Sequence, residues 1–175
     1  MKKIITDWSD WDTSNVISMQ YMFEVCRSLE GTLDLSDWDV SQVTTVAYMF
    51  SNCTKLQSII LDNWALSALT ANNYWFSNCN NLKTLSYTSG TIKSTTTNTN
   101  VFANLYSLQN YTGIPFANSI TYTGLYSISY SSMIAMLTVL PTVSSKTIKV
   151  STTALNRISA TDKAIATAKG WSIAA

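Results

Sequence analysis

Histidine is absent from this chain of 175 residues, and charged residues make up only 12% of it. Without histidine the chain lacks the commonest general base at neutral pH, the imidazole of hydrolase triads and imidazole metal ligands. Its formal net charge of +1 excludes a generally basic nucleic-acid-binding surface. We therefore predict a protein that is not an enzyme, holds no cofactor or metal and has no nucleic-acid partner.

Long apolar runs are also missing. No stretch approaches the roughly 18 apolar residues that a membrane-spanning helix needs, so we predict no insertion into a membrane. Lys2 and Lys3 resemble the start of a signal peptide, but Asp7, Asp10 and Asp12 follow before an apolar segment forms. We therefore read no secretory signal, and we expect a chain that is used without classical export or is a fragment of a longer protein.

What the chain has in abundance is repetition. Segment 36–43 copies segment 9–16, and three sets of apolar side chains recur along the chain in the same register. Such a period is typical of repeat proteins, in which one repeat cannot bury its apolar side until neighbouring repeats stack on it. We predict three buried ladders, namely Phe23, Phe50, Phe76 and Phe102; Cys26, Cys53 and Cys79; and Leu29, Leu56, Leu82 and Leu108.

Each repeat carries two further patterns. After the ladder leucine, alternating apolar residues such as Leu56, Ile59 and Leu61 predict one short parallel strand per repeat. Residues 41–50 instead have apolar side chains at helical spacing, which predicts a helical or irregular turn. Gly31 lies at an extra position of the first repeat and accounts for the change of spacing from 27 to 26.

The repeats fade after Phe116, and a different pattern follows. We predict a C-terminal capping segment over residues 126–175 that packs on the same core as a repeat domain over residues 1–125. The first predicted element of the cap is a helix that begins at Tyr130, is capped by Ser131 or Ser132 and stops before Pro141. A strand at 147–150 follows. A second helix over 160–169 has a capping box at Ser159 and is followed by Gly170, and the last element is a strand at 171–173.

The segment from Trp38 to Leu56 reads W-D-V-S-x-V-T-x-V-x-Y-M-F-S-N-C-x-x-L. It resembles the signature of the BspA-like leucine-rich repeats of bacterial surface proteins, and the resemblance covers roughly residues 8–116. The ending Lys169-Gly170-Trp171 is similar to the lysine-glycine-tryptophan ending often seen after such repeats. The resemblance implies an α/β fold, a leucine-rich-repeat solenoid with one short parallel β-strand plus a helical or irregular turn per 26–27-residue coil, and a small α/β C-terminal cap. It also implies adhesion or recognition at the surface of a bacterial cell or of a bacterial virus, without catalysis.

Two groups of reactive residues have more than one interpretation. The ladder cysteines could form a disulfide or a soft metal site, but ladder side chains point the same way and three is an odd count. We therefore predict reduced, buried thiols. Asp10, Asp12, Asp37 and Asp39 could bind Ca²⁺ or act as a glycosidase pair, yet their repetition in each unit favours turn and helix caps.

Aromatic and amide side chains supply the candidate binding surface. Trp11, Trp38 and Trp64 follow the repeat spacing and are predicted to pack in the core. Trp8 and Trp75 lie off that register, so we predict that they are exposed. Faces rich in tyrosine, threonine and asparagine have the composition of adaptable binding surfaces. The predicted binding residues are Trp8, Trp75, Asn72, Asn73, Tyr74, Tyr111 and Tyr122.

These patterns lead to a hypothesis of a structural or recognition protein. The lead interpretation is a virion-associated attachment module (phage tail, fibre or capsid decoration) that binds a cell-surface protein or glycan or another virion protein. The alternative is a fragment of an exported bacterial adhesin at the cell surface.

The two ends of the chain are also predicted to differ. The apolar first repeat leaves an open edge, which proteins usually cover. We predict that another chain covers it, giving a homo-oligomer or larger assembly, or that an upstream segment does. Charge is uneven as well, with a net charge of −5 over residues 1–62 and +6 over residues 63–175.

Overall fold

A computed structural model describes residues 8–89, 91–92, 100–113, 120–122 and 128–175, without the side chains of 91 and 120–122. Within these ranges the strands and helices are short, and every strand pair is parallel. The strands are β1 (Gly31–Asp34), β2 (Leu56–Ile60), β3 (Ala65–Leu66), β4 (Thr84–Ser86), β5 (Thr91–Ile92), β6 (Asn110–Tyr111), β7 (Ile120–Tyr122), β8 (Lys146–Val150) and β9 (Trp171–Ala174), and the helices are α1 (Tyr130–Val139), α2 (Thr152–Arg157) and α3 (Ala160–Thr167).

Strands of successive repeats pair with one another. The largest sheet has the order β1-β2-β4-β6, and its register aligns Leu33 with Ile59, Ile59 with Leu85 and Leu85 with Tyr111, each partner lying one repeat further along the chain. A second sheet pairs β3 with β5 at the same offset. Equivalent positions of neighbouring repeats therefore lie side by side. This pairing supports the leucine-rich-repeat solenoid, which remains our proposal for the architecture.

The segment over residues 41–50 forms an irregular turn and no helix. The N–H groups of Val46, Tyr48 and Phe50 donate to carbonyls of the next repeat, that of Phe50 to Trp75 at 3.0 Å. In the preceding repeat, the N–H of Phe23 bonds in the same way to the carbonyl of Met49 at 2.8 Å. Of the intervening N–H groups, that of Met49 bonds to the carbonyl of Val46 and that of Ala47 to Thr45 Oγ1. An α-helix needs consecutive N–H groups for its own bonds, so bonding to the neighbouring repeat excludes it.

The phenylalanine ladder occupies the centre of the core. Ring centroids of its successive members lie 5.5, 5.7 and 5.8 Å apart, with interplanar angles of 6°, 9° and 15°. Phe23 is 6% exposed, and the three later rings are fully buried. The leucine ladder is fully buried from Leu56 onward, whereas Leu29 of the first repeat is half-buried. Each ladder side chain is thus covered by its equivalent in the next repeat.

Gly31 absorbs the one-residue difference between the first two repeats. Its φ is +79°, a left-handed conformation that glycine adopts without steric cost. The register between β1 and β2 slips at this point, because Gly31 pairs with Leu56 while Thr32 pairs with Ser58. The irregularity lies where the sequence predicts the change of spacing.

The C-terminal segment adds a third sheet and three helices. Strands β7, β8 and β9 pair in that order, and β8 and β9 agree with the strands predicted at 147–150 and 171–173. Helix α2, which Ser151 caps, is absent from the sequence prediction. Among the described residues, no helix has both the length and the apolar character needed to cross a membrane.

Helix α1 begins at Tyr130 and ends before Pro141 as predicted, but its cap lies two or three residues before the predicted ones. Its N-cap is Ser129, whose hydroxyl accepts the N–H of Ser132 at 3.1 Å, so the predicted caps Ser131 and Ser132 are wrong. The same residue joins the C-terminal segment to the repeats, because Ser129 N–H donates to the carbonyl of Gln109, the residue before β6, at 2.9 Å. Buried apolar residues form one cluster from the first repeat to β9.

The predicted capping box of α3 is confirmed. Ser159 Oγ accepts the N–H of Asp162 at 3.1 Å, and the Asp162 carboxylate accepts the N–H of Ser159 at 3.0 Å. The carboxylate also accepts the Tyr130 hydroxyl at 2.8 Å, which ties α3 to α1. The helix ends two residues earlier than predicted. Gly170 follows with a φ of +82°, and a Cβ atom there would lie 1.9 Å from the carbonyl oxygen of Val143.

The phenylalanine ladder generates a stability prediction. Phe50→Ala removes a ring that packs between two others, and we expect it to lower the free energy of unfolding by about 3–5 kcal/mol. Phe23→Ala is the matched control, because its ring has one ladder neighbour and is otherwise packed on Trp8 and Trp38, and we expect a smaller loss. Urea unfolding followed by circular dichroism measures both. Equal losses would contradict the stacking of repeats as the source of this stability.

The capping box generates a prediction about pH. Hydrogen bonds from Ser159 and Tyr130 lower the pKa of Asp162 below its ordinary value. A carboxyl group with a lowered folded-state pKa stabilises the fold above its unfolded-state pKa, and this contribution is lost as the pH falls through the folded-state pKa. Asp162→Asn should lower Tm at neutral pH and weaken the fall of Tm on acidification, as measured by calorimetry. Asp10→Asn, which removes an exposed carboxylate, should leave both unchanged.

Candidate recognition surface

Trp75, which the sequence predicts to be exposed, is fully buried. Its ring stacks on those of Phe76 and Trp64, with centroids 4.6 and 6.3 Å away. Trp75 takes the position immediately before the ladder phenylalanine, which Met49 occupies one repeat earlier, and that position faces the core. The predicted exposure is wrong because the place of a residue in its own repeat decides the direction of its side chain.

Two further predicted binding residues are buried, and a third lies outside the described side chains. Tyr111 belongs to β6, where its side chain continues the buried row of β1, β2 and β4 and packs on Phe102 at 5.5 Å. Asn72 takes the core position that Val46 has in the preceding repeat. The prediction that Asn72 and Tyr111 form a surface is therefore wrong. Tyr122 lies in β7, and its side chain is outside the described part of the chain.

Trp8 and Asn73 are both half-buried. The ring of Trp8 meets Phe23 edge-on, with centroids 5.4 Å apart, and its carbonyl accepts the indole N–H of Trp38 at 3.1 Å. Trp8 thus packs against the first ring of the phenylalanine ladder. The carbonyl of Asn73 accepts the N–H of Tyr48 at 2.9 Å, which places Asn73 among the bonds that join two repeats.

A row of stacked tyrosines runs along the outside of the repeats. The rings of Tyr21 and Tyr48 have centroids 5.2 Å apart, and those of Tyr48 and Tyr74 are 4.8 Å apart, with interplanar angles of 30° and 14°. Tyr21 is 50% exposed, and the other two residues are half-buried. The sequence prediction included Tyr74 alone, although all three tyrosines recur at the spacing of the repeats.

All three tyrosines have a left-handed backbone, with φ angles of 63°, 59° and 56°. This conformation costs a residue with a β-carbon about 1–2 kcal/mol, and asparagine tolerates it best among such residues. Asn100, the equivalent residue of the fourth repeat, has a φ of 53°. Stacking offsets part of the strain, by about 0.5–1.5 kcal/mol per ring pair. An aromatic residue kept at a strained surface position in three successive repeats indicates a role for the rings themselves.

A row of asparagine amides lies four residues further along each repeat. Asn104 Nδ2 donates to Asn78 Oδ1 at 2.7 Å, and Asn78 Nδ2 donates to Asn52 Oδ1 at 3.0 Å. The Tyr106 hydroxyl donates to Asn104 at one end, and Asn52 donates to the Ser51 hydroxyl at the other. This directional chain of hydrogen bonds holds every amide of the row in one orientation.

We call these two rows together the tyrosine–asparagine face; its residues are Tyr21, Tyr48, Tyr74, Asn52, Asn78 and Asn104. Within a repeat the rows are four residues apart, so their Cα atoms are at most about 14 Å from each other. Partial burial raises the pKa of Tyr48, and the neighbouring hydroxyl groups of Tyr74 and Tyr21 raise it further. The hydroxyl of Tyr48 therefore stays protonated at neutral pH. The face therefore presents neutral hydroxyl and amide groups beside flat aromatic rings.

Two of the four aspartates considered as calcium ligands, Asp12 and Asp39, form turns. Asp12 accepts the hydroxyl and the N–H of Ser14 at 2.6 and 3.0 Å, and Asp39 accepts the N–H of Ser41 at 2.9 Å. These hydrogen bonds lower the pKa of both carboxyl groups. In the part of the chain that the structure describes, no three histidine, cysteine, aspartate or glutamate side chains form a group that could hold a metal ion.

The ladder cysteines are free thiols, two of them buried. Cys53 Sγ donates to the carbonyl of Phe23 and Cys79 Sγ to that of Phe50, both at 3.0 Å. The hydrogen bond with Cys53 and burial both raise the pKa of Cys79. Thiols that bond to carbonyls of the preceding repeat inside the core act as packing elements, because a reactive cysteine needs access and a stabilised thiolate.

The model of the family described as "Mycoplasma protein of unknown function, DUF285" matches residues 1–112 of the chain. The matched part includes the four ladder phenylalanines and the whole tyrosine–asparagine face. No curated protein and no solved structure matches the chain.

The amide row generates a prediction that separates hydrogen bonding from backbone strain. Asn78 has a φ of 60°, and its side chain bonds to both neighbouring amides. Asn78→Ala loses those bonds and strains the backbone, so we expect it to lower the free energy of unfolding by about 2–3 kcal/mol. Asn78→Gly loses the same bonds without the strain, and we expect about half that loss. Urea unfolding measures both, and a larger loss for glycine would contradict this division.

Proposed function

The chain belongs to the DUF285 family, whose description states no activity, and we propose that it is a non-enzymatic recognition module. Its binding surface is the tyrosine–asparagine face, and its partner is a protein or a glycan. The observation that carries the proposal is the row of Tyr21, Tyr48 and Tyr74, whose rings stay stacked at the surface on a strained backbone.

The chemistry of this face suits a neutral, polar partner. Tyrosine rings supply rigid contact area at a low cost in conformational entropy, and amide groups supply adaptable hydrogen bonds. Because charged residues are only 12% of the chain, hydrogen bonding and shape dominate over charge in such recognition. Sugar hydroxyls and exposed peptide groups both complement a surface of this kind.

We propose that the module works on the outside of a particle or cell. The lead setting is a virion, as an attachment module of a phage tail, fibre or capsid, and the alternative is a fragment of an exported bacterial adhesin. The resemblance of residues 8–116 to the repeats of bacterial surface proteins supports both settings. Mass spectrometry of purified particles and of cell-surface fractions would distinguish them.

Tyr48→Asn tests the proposal without disturbing the fold. Asparagine already occupies the equivalent place at Asn100 with a φ of 53°, and the relieved strain offsets the loss of two stacked ring pairs, so we expect a stability close to that of the original chain. The probes are a printed array of defined glycans and intact bacterial cells, to which the fluorescently labelled chain is applied. We expect binding to at least one probe, and an affinity about tenfold or more lower for the variant.

Val139→Ser is the control for this experiment, because it changes an exposed apolar residue of α1 that is outside the tyrosine–asparagine face. It should bind as the original chain does. Unchanged binding by Tyr48→Asn would contradict the assignment of the face. Failure of the original chain to bind any probe would contradict the recognition function itself.

A further inference from the structure

In the row of peptide groups that contains Phe23 and Phe50, the hydrogen bonds between repeats share one direction. The peptide between Trp75 and Phe76 shows this, because its carbonyl accepts the N–H of Phe50 from the preceding repeat while its N–H donates to Val101 in the following one, both at 3.0 Å. The carbonyls of this row therefore point toward the N-terminal end of the stack. Bonds elsewhere in the repeats run the opposite way, as from Lys83 N–H to the carbonyl of Gln57, so this direction belongs to the one row.

The outer side of the first repeat carries a row of carbonyl groups to which no described group donates a hydrogen bond. In the second repeat, the carbonyls that accept N–H groups of the first are those of Thr45, Ala47, Met49 and Ser51. The equivalent carbonyls of the first repeat are those of Ser18, Gln20, Met22 and Glu24, and no group in the described ranges donates to them. An edge that presents acceptors in a row needs a partner that presents donors.

The same end is apolar and acidic. Met22 is 36% exposed and Val25 is 46% exposed, whereas Met49, the equivalent of Met22, is fully buried. Residues 8–39 carry seven acidic side chains against one base, Arg27. We call Ile17, Met22, Glu24 and Val25, with the carbonyl groups named above, the N-terminal face; Tyr21 of the same segment belongs to the tyrosine–asparagine face.

The C-terminal cap has the opposite character. Residues 128–175 carry five basic side chains and one acidic side chain. Strand β9 is at the edge of its sheet, and no described strand pairs with its outer side. Because Lys146 N–H bonds to the carbonyl of Gly170, alternation directs the peptide groups of Trp171 and Ile173 to the open edge. The cap thus offers the backbone N–H and C=O groups of Trp171 and Ile173 near basic side chains, and the N–H groups can serve the carbonyls of the first repeat.

We infer that copies of this chain associate head to tail, with the N-terminal face of one copy docked on the β9 edge of the next. A symmetric dimer through two N-terminal faces would set carbonyls against carbonyls and acids against acids, which prevents hydrogen bonding and adds repulsion. A head-to-tail contact repeats until it closes a ring or continues as a filament. This inference goes beyond the recognition function, and it names the surface that the predicted self-association uses.

Two double variants test the direction of the contact. Met22→Lys with Glu24→Lys blocks the N-terminal face, and Lys146→Glu with Lys149→Glu blocks the cap. Sedimentation velocity measures the mass of each chain from about 1 to 200 µM, so that association driven by concentration is visible. We expect the original chain to grow past a dimer, and to do so less at about 0.5 M salt, which screens charge.

Each double variant alone should need a concentration about tenfold higher to associate. Their equimolar mixture should associate at a lower concentration than either variant alone, because it contains one intact N-terminal face and one intact cap edge per pair, and the reversed charges of the two blocked surfaces also attract. Lys55→Glu, a charge reversal at an exposed site outside both surfaces, should associate as the original chain does.

Two outcomes would overturn the inference: a monomeric original chain at every concentration, or a cap-blocked variant that dimerises alone, as a symmetric contact requires. Circular dichroism checks the folding of each variant, and the mass of the original chain decides the matter even where a variant does not fold. Failure here leaves the binding of glycans or cells by the tyrosine–asparagine face untouched, so the two proposals fail separately.

Discussion

The contact between one repeat and the next is the interaction on which the rest of this structure depends. Phe50 shows both of its components, because its N–H donates to the carbonyl of Trp75 while its ring packs between Phe23 and Phe76. A single repeat has almost no regular structure of its own, so it cannot satisfy its backbone or bury its apolar side alone. The spacing of the repeats must therefore be kept, and an extra residue is accommodated at Gly31, where the backbone takes a left-handed bulge.

Stacking also limits the surface that such a chain can present. Because equivalent positions adjoin, any residue repeated on the outside becomes a row with neighbours about 5 Å apart. Like charges at that distance repel, whereas aromatic rings stack and amides bond to each other, as in the rows that contain Tyr48 and Asn78. This constraint gives a physical reason for a charged fraction of only 12% and for the abundance of threonine, serine and asparagine.

Features that depend on local spacing could be predicted from the sequence, and features that depend on side-chain direction could not. The recurrence of Phe23 and its equivalents identifies the residues that stack, the capping box at Ser159 locates the start of α3, and Pro141 marks the end of α1. Trp75 was misassigned because its burial follows from its place in the repeat, which Met49 marks, and not from its residue type. The sequence prediction contained Tyr74 but not the other two tyrosines of the row. These rings are exposed because their backbone is left-handed, and this conformation cannot be predicted from tyrosine as a residue type. Helix α2 is too short to show a periodicity.

The first repeat departs from the others in a way that packing within the chain does not explain. Asn52, Asn78 and Asn104 share a left-handed position with Val25, whose φ is 58°. A β-branched residue is among the least suited to this conformation, and this one is also 46% exposed. The amide row consequently stops at the second repeat, and the first repeat presents an apolar side chain where the later ones present a hydrogen-bonding group. Strain and apolar exposure coincide at one end of the stack with carbonyls to which no described group donates, and a covering partner would bury the exposed side chain and satisfy the carbonyls at once.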